Sequence, residues 1–148
     1  MKKLLLTTLL LLGFAASAGA AGDHATPDEA KAMTIKAAEY LKANGPDKAF
    51  AAFKDPAGGF RDRDLYVVVQ DHKGMMVFHP LAPALIGKSM LDLKDVDGKP
   101  FNREVQAITD TGWVEFKWQD PQTKTVAPKK SYVINTGDYF VMVGAYVQ

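Results

Sequence analysis

Apolar residues run without polar interruption through Leu65-Tyr66-Val67-Val68-Val69, and again on both faces of Tyr139 to Val147. Runs of this kind belong to strands covered on both sides, so each should lie in the middle of a sheet. Asp71-His72-Lys73-Gly74 follows the first run with turn chemistry, because Asp bonds its own downstream backbone and Gly takes positive φ without a clash. A hairpin is predicted. Its second arm, Met75 to His79, stops at Pro80, which has no N–H for the ladder, and this leaves His79 at a strand end beside a loop.

Ahead of the hairpin the period changes to that of a helix. Ala30, Met33, Ala37, Tyr40 and Leu41 recur at three- and four-residue spacings up to about Asn44, and Gly45-Pro46 ends the pattern. Thr26-Pro27-Asp28-Glu29 marks the start, with a Thr N-cap, Pro at the first helical position and Glu closing a capping box. A second helix over Asp47 to Phe53 puts Ala49, Phe50 and Phe53 on one face. Pro80 to Lys99 reads as a connection, yet it carries Leu81, Leu85, Ile86, Met90, Leu91 and Leu93, so it should fold against the domain as a lid.

Pro100 opens a third helix, with Phe101, Val105 and Ile108 on one side and Gly112 predicted to close it. Trp113 to Trp118 then alternates: Val114, Phe116 and Trp118 on one face, Trp113, Glu115 and Lys117 on the other. A turn at Asp120-Pro121-Gln122-Thr123 leads to a strand over Lys130 to Asn135, and Thr136-Gly137-Asp138 joins it to the last strand. The fold class is α+β, a five-stranded antiparallel sheet with helices and a lid loop on its faces.

The N-terminus adds a compartment. Lys2-Lys3, the apolar run Leu4 to Phe14 and the small residues Ala16-Ser17-Ala18-Gly19-Ala20 have the form of a secretory signal peptide over residues 1–20, which leaves one exported periplasmic domain over 21–148. An uncleaved anchor is the alternative, and the Ala-rich cleavage region argues against it. The 18 basic residues fall to 16 without Lys2 and Lys3, against 17 acidic, a mature net charge of −1. That balance gives no electrostatic case for nucleic acid, and no later stretch is apolar enough for a membrane span. With no cysteine, disulfides, thiolate metal sites and thiol catalysis are excluded.

Several phrases in order resemble one family. His79-Pro80, Ile86-Gly87-Lys88-Ser89-Met90-Leu91-Asp92-Leu93-Lys94-Asp95, Asp97-Gly98-Lys99-Pro100-Phe101, Gly112-Trp113-Val114 with Trp118, Pro128-Lys129-Lys130-Ser131-Tyr132-Val133 and Gly144-Ala145-Tyr146 are similar to the single Cache domain of bacterial extracytoplasmic sensors. The resemblance implies a PAS-like sheet fronted by a long N-terminal helix, with a pocket between sheet and lid for small molecules, often short carboxylic acids. It also implies signal transduction or chemotaxis, through a membrane helix after the last strand. No such helix follows Tyr146 here, so a free binding protein is expected.

His79 is the first candidate, since an imidazole under a lid can donate to a carboxylate and titrates near neutral pH, which predicts tighter binding as pH falls. The blander role is a structural bond to a loop carbonyl. The resemblance places a lysine in the pocket, with Lys129 the better positional match than Lys130, and a buried ammonium needs an anionic partner. Tyr132 and Trp118 are expected as walls; Trp113 and Tyr66 are further candidates, although core is the default role for aromatics, Tyr146 included.

No metal is expected, because His24, His72 and His79 fall in unrelated elements and Asp95-Val96-Asp97-Gly98 lacks the other ligands of a calcium loop. No cofactor fingerprint is present, and only Ser131 near a histidine would suggest catalysis, so no enzyme is expected. The function predicted is a binding or sensor domain for a small organic anion. The alternative is an interaction module that docks on a membrane sensor or an enzyme, its pocket filled by its own side chains.

Overall fold

The computed structural model describes residues 23–147, so the expected signal peptide lies outside the described residues. Helix α1 spans Pro27–Asn44 and α2 spans Pro46–Lys54. At the start of α1 the Glu29 N–H donates to the Thr26 hydroxyl at 3.2 Å, and the Thr26 N–H donates to the Glu29 carboxylate at 2.7 Å, the reciprocal pair of a capping box. The strands are β1 (Arg61–Asp62), β2 (Leu65–Asp71), β3 (Met76–Phe78), β4 (Thr111–Gln119), β5 (Val126–Asn135) and β6 (Tyr139–Tyr146).

All strand pairs are antiparallel, in the order β1-β2-β6-β5-β4, with β3 also paired to β2. The expected α+β class and five-stranded sheet are present, and the two-residue β1 is an addition too short to carry any pattern. Both continuous apolar runs are interior: β2 lies between β3 and β6, and β6 between β2 and β5.

Alternation divides the sheet into two faces. On one, Val67, Val69, Val141, Val143 and Ala145 lie under α1 and α2. Helix α1 buries Ala30, Thr34, Ala37, Ala38 and Leu41, and this mostly small stripe lets the helix axis come close to the strands. Met33 and Tyr40 sit at its margins. Phe53 of α2 is fully buried, edge-on to Phe60 at 4.7 Å and to Phe78 at 6.0 Å.

The other face, with Tyr66, Val68, Val114, Val133 and Met142, is covered by the lid segment and by helix α3 (Phe101–Gln106). The lid is stitched on through backbone: Met76 N–H donates to Lys88 O at 2.9 Å, Gly87 N–H to Met76 O at 2.8 Å and Met90 N–H to Gly74 O at 2.7 Å. Gly74 serves two needs, a φ of +74° in the hairpin turn and room for Leu91, whose Cδ2 would lie 2.5 Å from any Cβ there. Further along, Asp95 accepts the Lys117 N–H at 3.0 Å and the Lys99 N–H at 2.9 Å, and these bonds hold its carboxyl below the ordinary range. Asp95-Val96-Asp97-Gly98 is therefore a turn tied to β4.

Two boundaries differ from the sequence reading by several residues. Helix α3 ends at Gln106, and Gly112 lies in β4 opposite Val133, where an added Cβ would lie 3.2 Å from Ile108 Cδ1. Strand β5 begins at Val126 instead of Lys130, and Pro128 is accommodated beyond Lys129↔Tyr146, the last β5–β6 pair. Ahead of α1, His24 reaches two buried carboxylates, Asp64 at 3.2 Å and Asp120 at 3.5 Å, and so ties the entering chain to the sheet.

Phe53→Ala should lower the unfolding free energy by about 3–5 kcal/mol, the cost of a cavity at a large buried ring. Urea denaturation of the variant against the wild type measures it.

Candidate functional site

Between the lid-covered face and α3 the side chains leave a cavity of about 40 Å³. Strand β2 sends Tyr66 and Gln70 into it, β5 sends Lys129 and Ser131, and β4 sends Phe116 and Trp118. Phe101 of α3 stacks on Phe116 at 4.0 Å with the rings nearly parallel, and Trp118 stands edge-on to Phe101 at 5.8 Å. The walls are apolar. The polar groups gather at two ends.

Lys129 defines the first end. It is only 4% exposed, its Nζ donates to the Tyr66 hydroxyl at 2.8 Å, and the rings of Tyr66 and Tyr146 lie 4.1 and 4.8 Å from it. Cation–π contact offsets part of the desolvation cost without supplying negative charge. The lysines that pair with carboxylates among the described residues are Lys99, Lys117 and Lys130; Lys129 has no such partner. Tyr146 donates its hydroxyl to Gln119 O at 2.5 Å, and burial, with the Tyr66 phenol beside it, pushes its own pKa far upward. It stays neutral.

The lysine reaches this place because β6 carries no side chain beneath it. A Cβ on Gly144 would lie 2.5 Å from Lys129 Cε and would also overlap the Ser131 hydroxyl. Gly144 is thus what allows Lys129 to lie flat across the sheet.

His79 completes this end. Its ring lies 5.3 Å from that of Tyr66, and Nδ1 accepts two backbone N–H groups, from Leu81 at 3.2 Å and Ala82 at 2.9 Å. Those bonds assign the ring proton to Nε2, which has no protein partner among the described residues. The ring is tied to the loop, but through N–H groups that donate to Nδ1 and not through the expected carbonyl, and this orients the opposite nitrogen as a donor. Burial, and secondarily the Lys129 charge, push the His79 pKa down to about 4. The expected titration near neutral pH is thereby corrected: His79 is a neutral donor under ordinary conditions.

The second end was not read from the sequence. Gln70 Nε2 donates to Asn102 Oδ1 at 2.7 Å, both residues being buried. A glutamine closing an otherwise apolar central strand was the available signal. Ser131 is buried too, and it makes no hydrogen bond with His79, so a hydroxyl–imidazole pair does not form.

Four of the six expected site residues line the cavity: His79, Lys129, Trp118 and Tyr66. Tyr132 and Trp113 do not. They pair across β4 and β5 on the α1 face, edge to face at 4.8 Å, with Lys31 of α1 5.1 Å over the Tyr132 ring. Strand alternation is the reason, since Tyr132 is three residues from Lys129 and Trp113 five from Trp118, odd separations that point to opposite faces.

The depressed His79 pKa has a stability consequence. Its contribution is fully present above about 6.5, the unfolded value, and is lost as pH falls toward 4, at up to roughly 1.4 kcal/mol per pH unit. Chemical denaturation at pH 6.5 and pH 5 should show the wild type losing on the order of 1–2 kcal/mol more than His79→Gln. Parallel losses would mean that His79 is not held neutral by its surroundings.

The fold has counterparts. The single Cache domain 2 family model matches residues 19–148. The sensor histidine kinase MctS of Rhizobium johnstonii is 33% identical over 87 residues, 57% of this chain and 19% of the kinase, so the chain spans about a fifth of that relative's length. A methyl-accepting chemotaxis protein from Vibrio parahaemolyticus superposes with a TM-score of 0.70 at 23% identity, covering 82% of this chain and 88% of that one. A structure described as the basis for carboxylic acid recognition by a Cache chemosensory domain gives 0.61 at 23% identity, with 82% and 88% covered. At such identities the two structures share the fold with this chain. The chain belongs to the single Cache domain 2 family of extracytoplasmic sensor domains.

Proposed function

We propose that the domain senses a small organic anion, a short carboxylate, outside the cytoplasm and serves a signalling partner such as a membrane sensor. The observation that carries this reading is Lys129, a buried ammonium that faces a cavity and has no carboxylate beside it among the described residues. A ligand carboxylate would take bonds from Lys129 Nζ and His79 Nε2, both charge-assisted, in a setting of low dielectric. Tyr66 holds the ammonium in place from its other side.

Cavity size narrows the class. About 40 Å³ gives room for roughly three waters, and only a short chain would enter without displacing the lid. The apolar walls of Phe101, Phe116 and Trp118 suit its methylenes. Carboxylic acid recognition, named for one structure of the same fold, agrees with this chemistry. The docking-module alternative expected a pocket filled by side chains, and the open cavity favours a ligand instead.

Titration calorimetry with acetate, propionate and butyrate tests the proposal. Lys129→Met should weaken binding about ten- to a hundredfold, the range for losing a hydrogen bond to a charged group. Tyr132→Phe, on the opposite face, should bind like the wild type. Unchanged affinity in Lys129→Met would remove the lysine from the site.

A further inference from the structure

Asn102 Nδ2 is the buried side-chain polar atom without a hydrogen-bond partner among the described residues, and Asn102 lines the cavity. Buried donors are usually satisfied, so an orphan on a residue that lines the cavity asks for an acceptor from outside the protein.

The orientation of this amide is fixed by a relay. Gln106 Nε2 donates to the Asp71 carbonyl at 3.0 Å and faces Gln70 Oε1 at 3.4 Å, two acceptors that no amide oxygen could face. Gln70 must therefore turn its own Nε2 to Asn102, and it does so at 2.7 Å to Oδ1. Flipping either amide would set like groups against each other. The amino group of Asn102 is left as the free end of the relay.

Position then separates the two polar ends. Tyr66, which holds Lys129, and Gln70, which holds Asn102, stand four residues apart on one face of β2, about 13 Å along the strand. Val68 lies between them, and Met76 and Met142 also line this stretch. A 2-oxo or 2-hydroxy acid would keep its second oxygen at the carboxylate end and would not reach Asn102.

We propose that the ligand is a short carboxylic acid whose chain carries, at the end remote from the carboxylate, a hydroxyl or carbonyl oxygen that accepts a hydrogen bond from the Asn102 amino group. This rests on the carboxylate reading and adds a second pole to it.

Matched acids of equal size test the idea: 3-hydroxypropanoate against butanoate, and 4-hydroxybutanoate against pentanoate, each pair exchanging a terminal hydroxyl for a methyl. In an apolar pocket without a partner the methyl acid binds better, so the subsite reverses the order. The wild type should favour the hydroxy acid of at least one pair by about tenfold in calorimetry. Asn102→Leu should favour the methyl acid, and Lys129→Met should weaken both.

A wild-type preference for the methyl acid in both pairs, with both still dependent on Lys129, would overturn the Asn102 subsite and leave the carboxylate reading standing. Binding by neither kind of acid, or binding indifferent to Lys129→Met, would overturn both. The wild-type comparison needs no variant, so a misfolded Asn102→Leu leaves the test decisive.

Discussion

A lysine ammonium set against two tyrosine rings, with no carboxylate beside it among the described residues, is the constraint on which the site depends. Desolvating that charge costs several kcal/mol, and the protein compensates with what it has: two π faces, one phenol oxygen and the absence of a side chain at Gly144. Neighbouring groups respond to the same charge. His79 is kept neutral by burial and by Lys129, and the two backbone N–H groups on its Nδ1 leave Nε2–H as the donor. The result is a preformed pair of donors, Lys129 Nζ and His79 Nε2, on residues that line one cavity.

The sheet makes this possible by separating its tasks. One face supports α1 and α2 over a core of valines, alanines and phenylalanines, and carries the stability. The other exchanges part of its packing for a cavity, and its lid is fastened by backbone bonds to β3 and through Asp95 to β4. Strand alternation is the only device needed to keep a cavity-lining residue such as Lys129 adjacent in sequence to a structural one such as Lys130, which pairs with Glu115 on the far side.

Much of this was legible in the chain. The Thr26 to Glu29 start of α1, the two continuous apolar runs and the aliphatic lid each announced themselves through local chemistry that tertiary context did not override. The misses have physical causes. Tyr132 and Trp113 are aromatics and so good pocket material, but their odd spacing from Lys129 and Trp118 puts them on the opposite face. Gly112 looked like a helix end because glycine serves both as a C-cap and as a gap for a neighbour, here Ile108, and sequence does not distinguish the two. The His79 pKa and the Gln106–Gln70–Asn102 relay depend on burial and on residues more than thirty positions apart, which no local pattern records.

The central claim is that the uncompensated charge on Lys129 marks an anion site. A crystal structure of the protein grown with propionate tests it most directly. The carboxylate should lie within hydrogen-bonding distance of Lys129 Nζ and His79 Nε2, its methyl end against Phe101 and Phe116 beneath the lid. Propionate found only on the surface, with the cavity holding water alone and Lys129 still bonded solely to Tyr66, would contradict it.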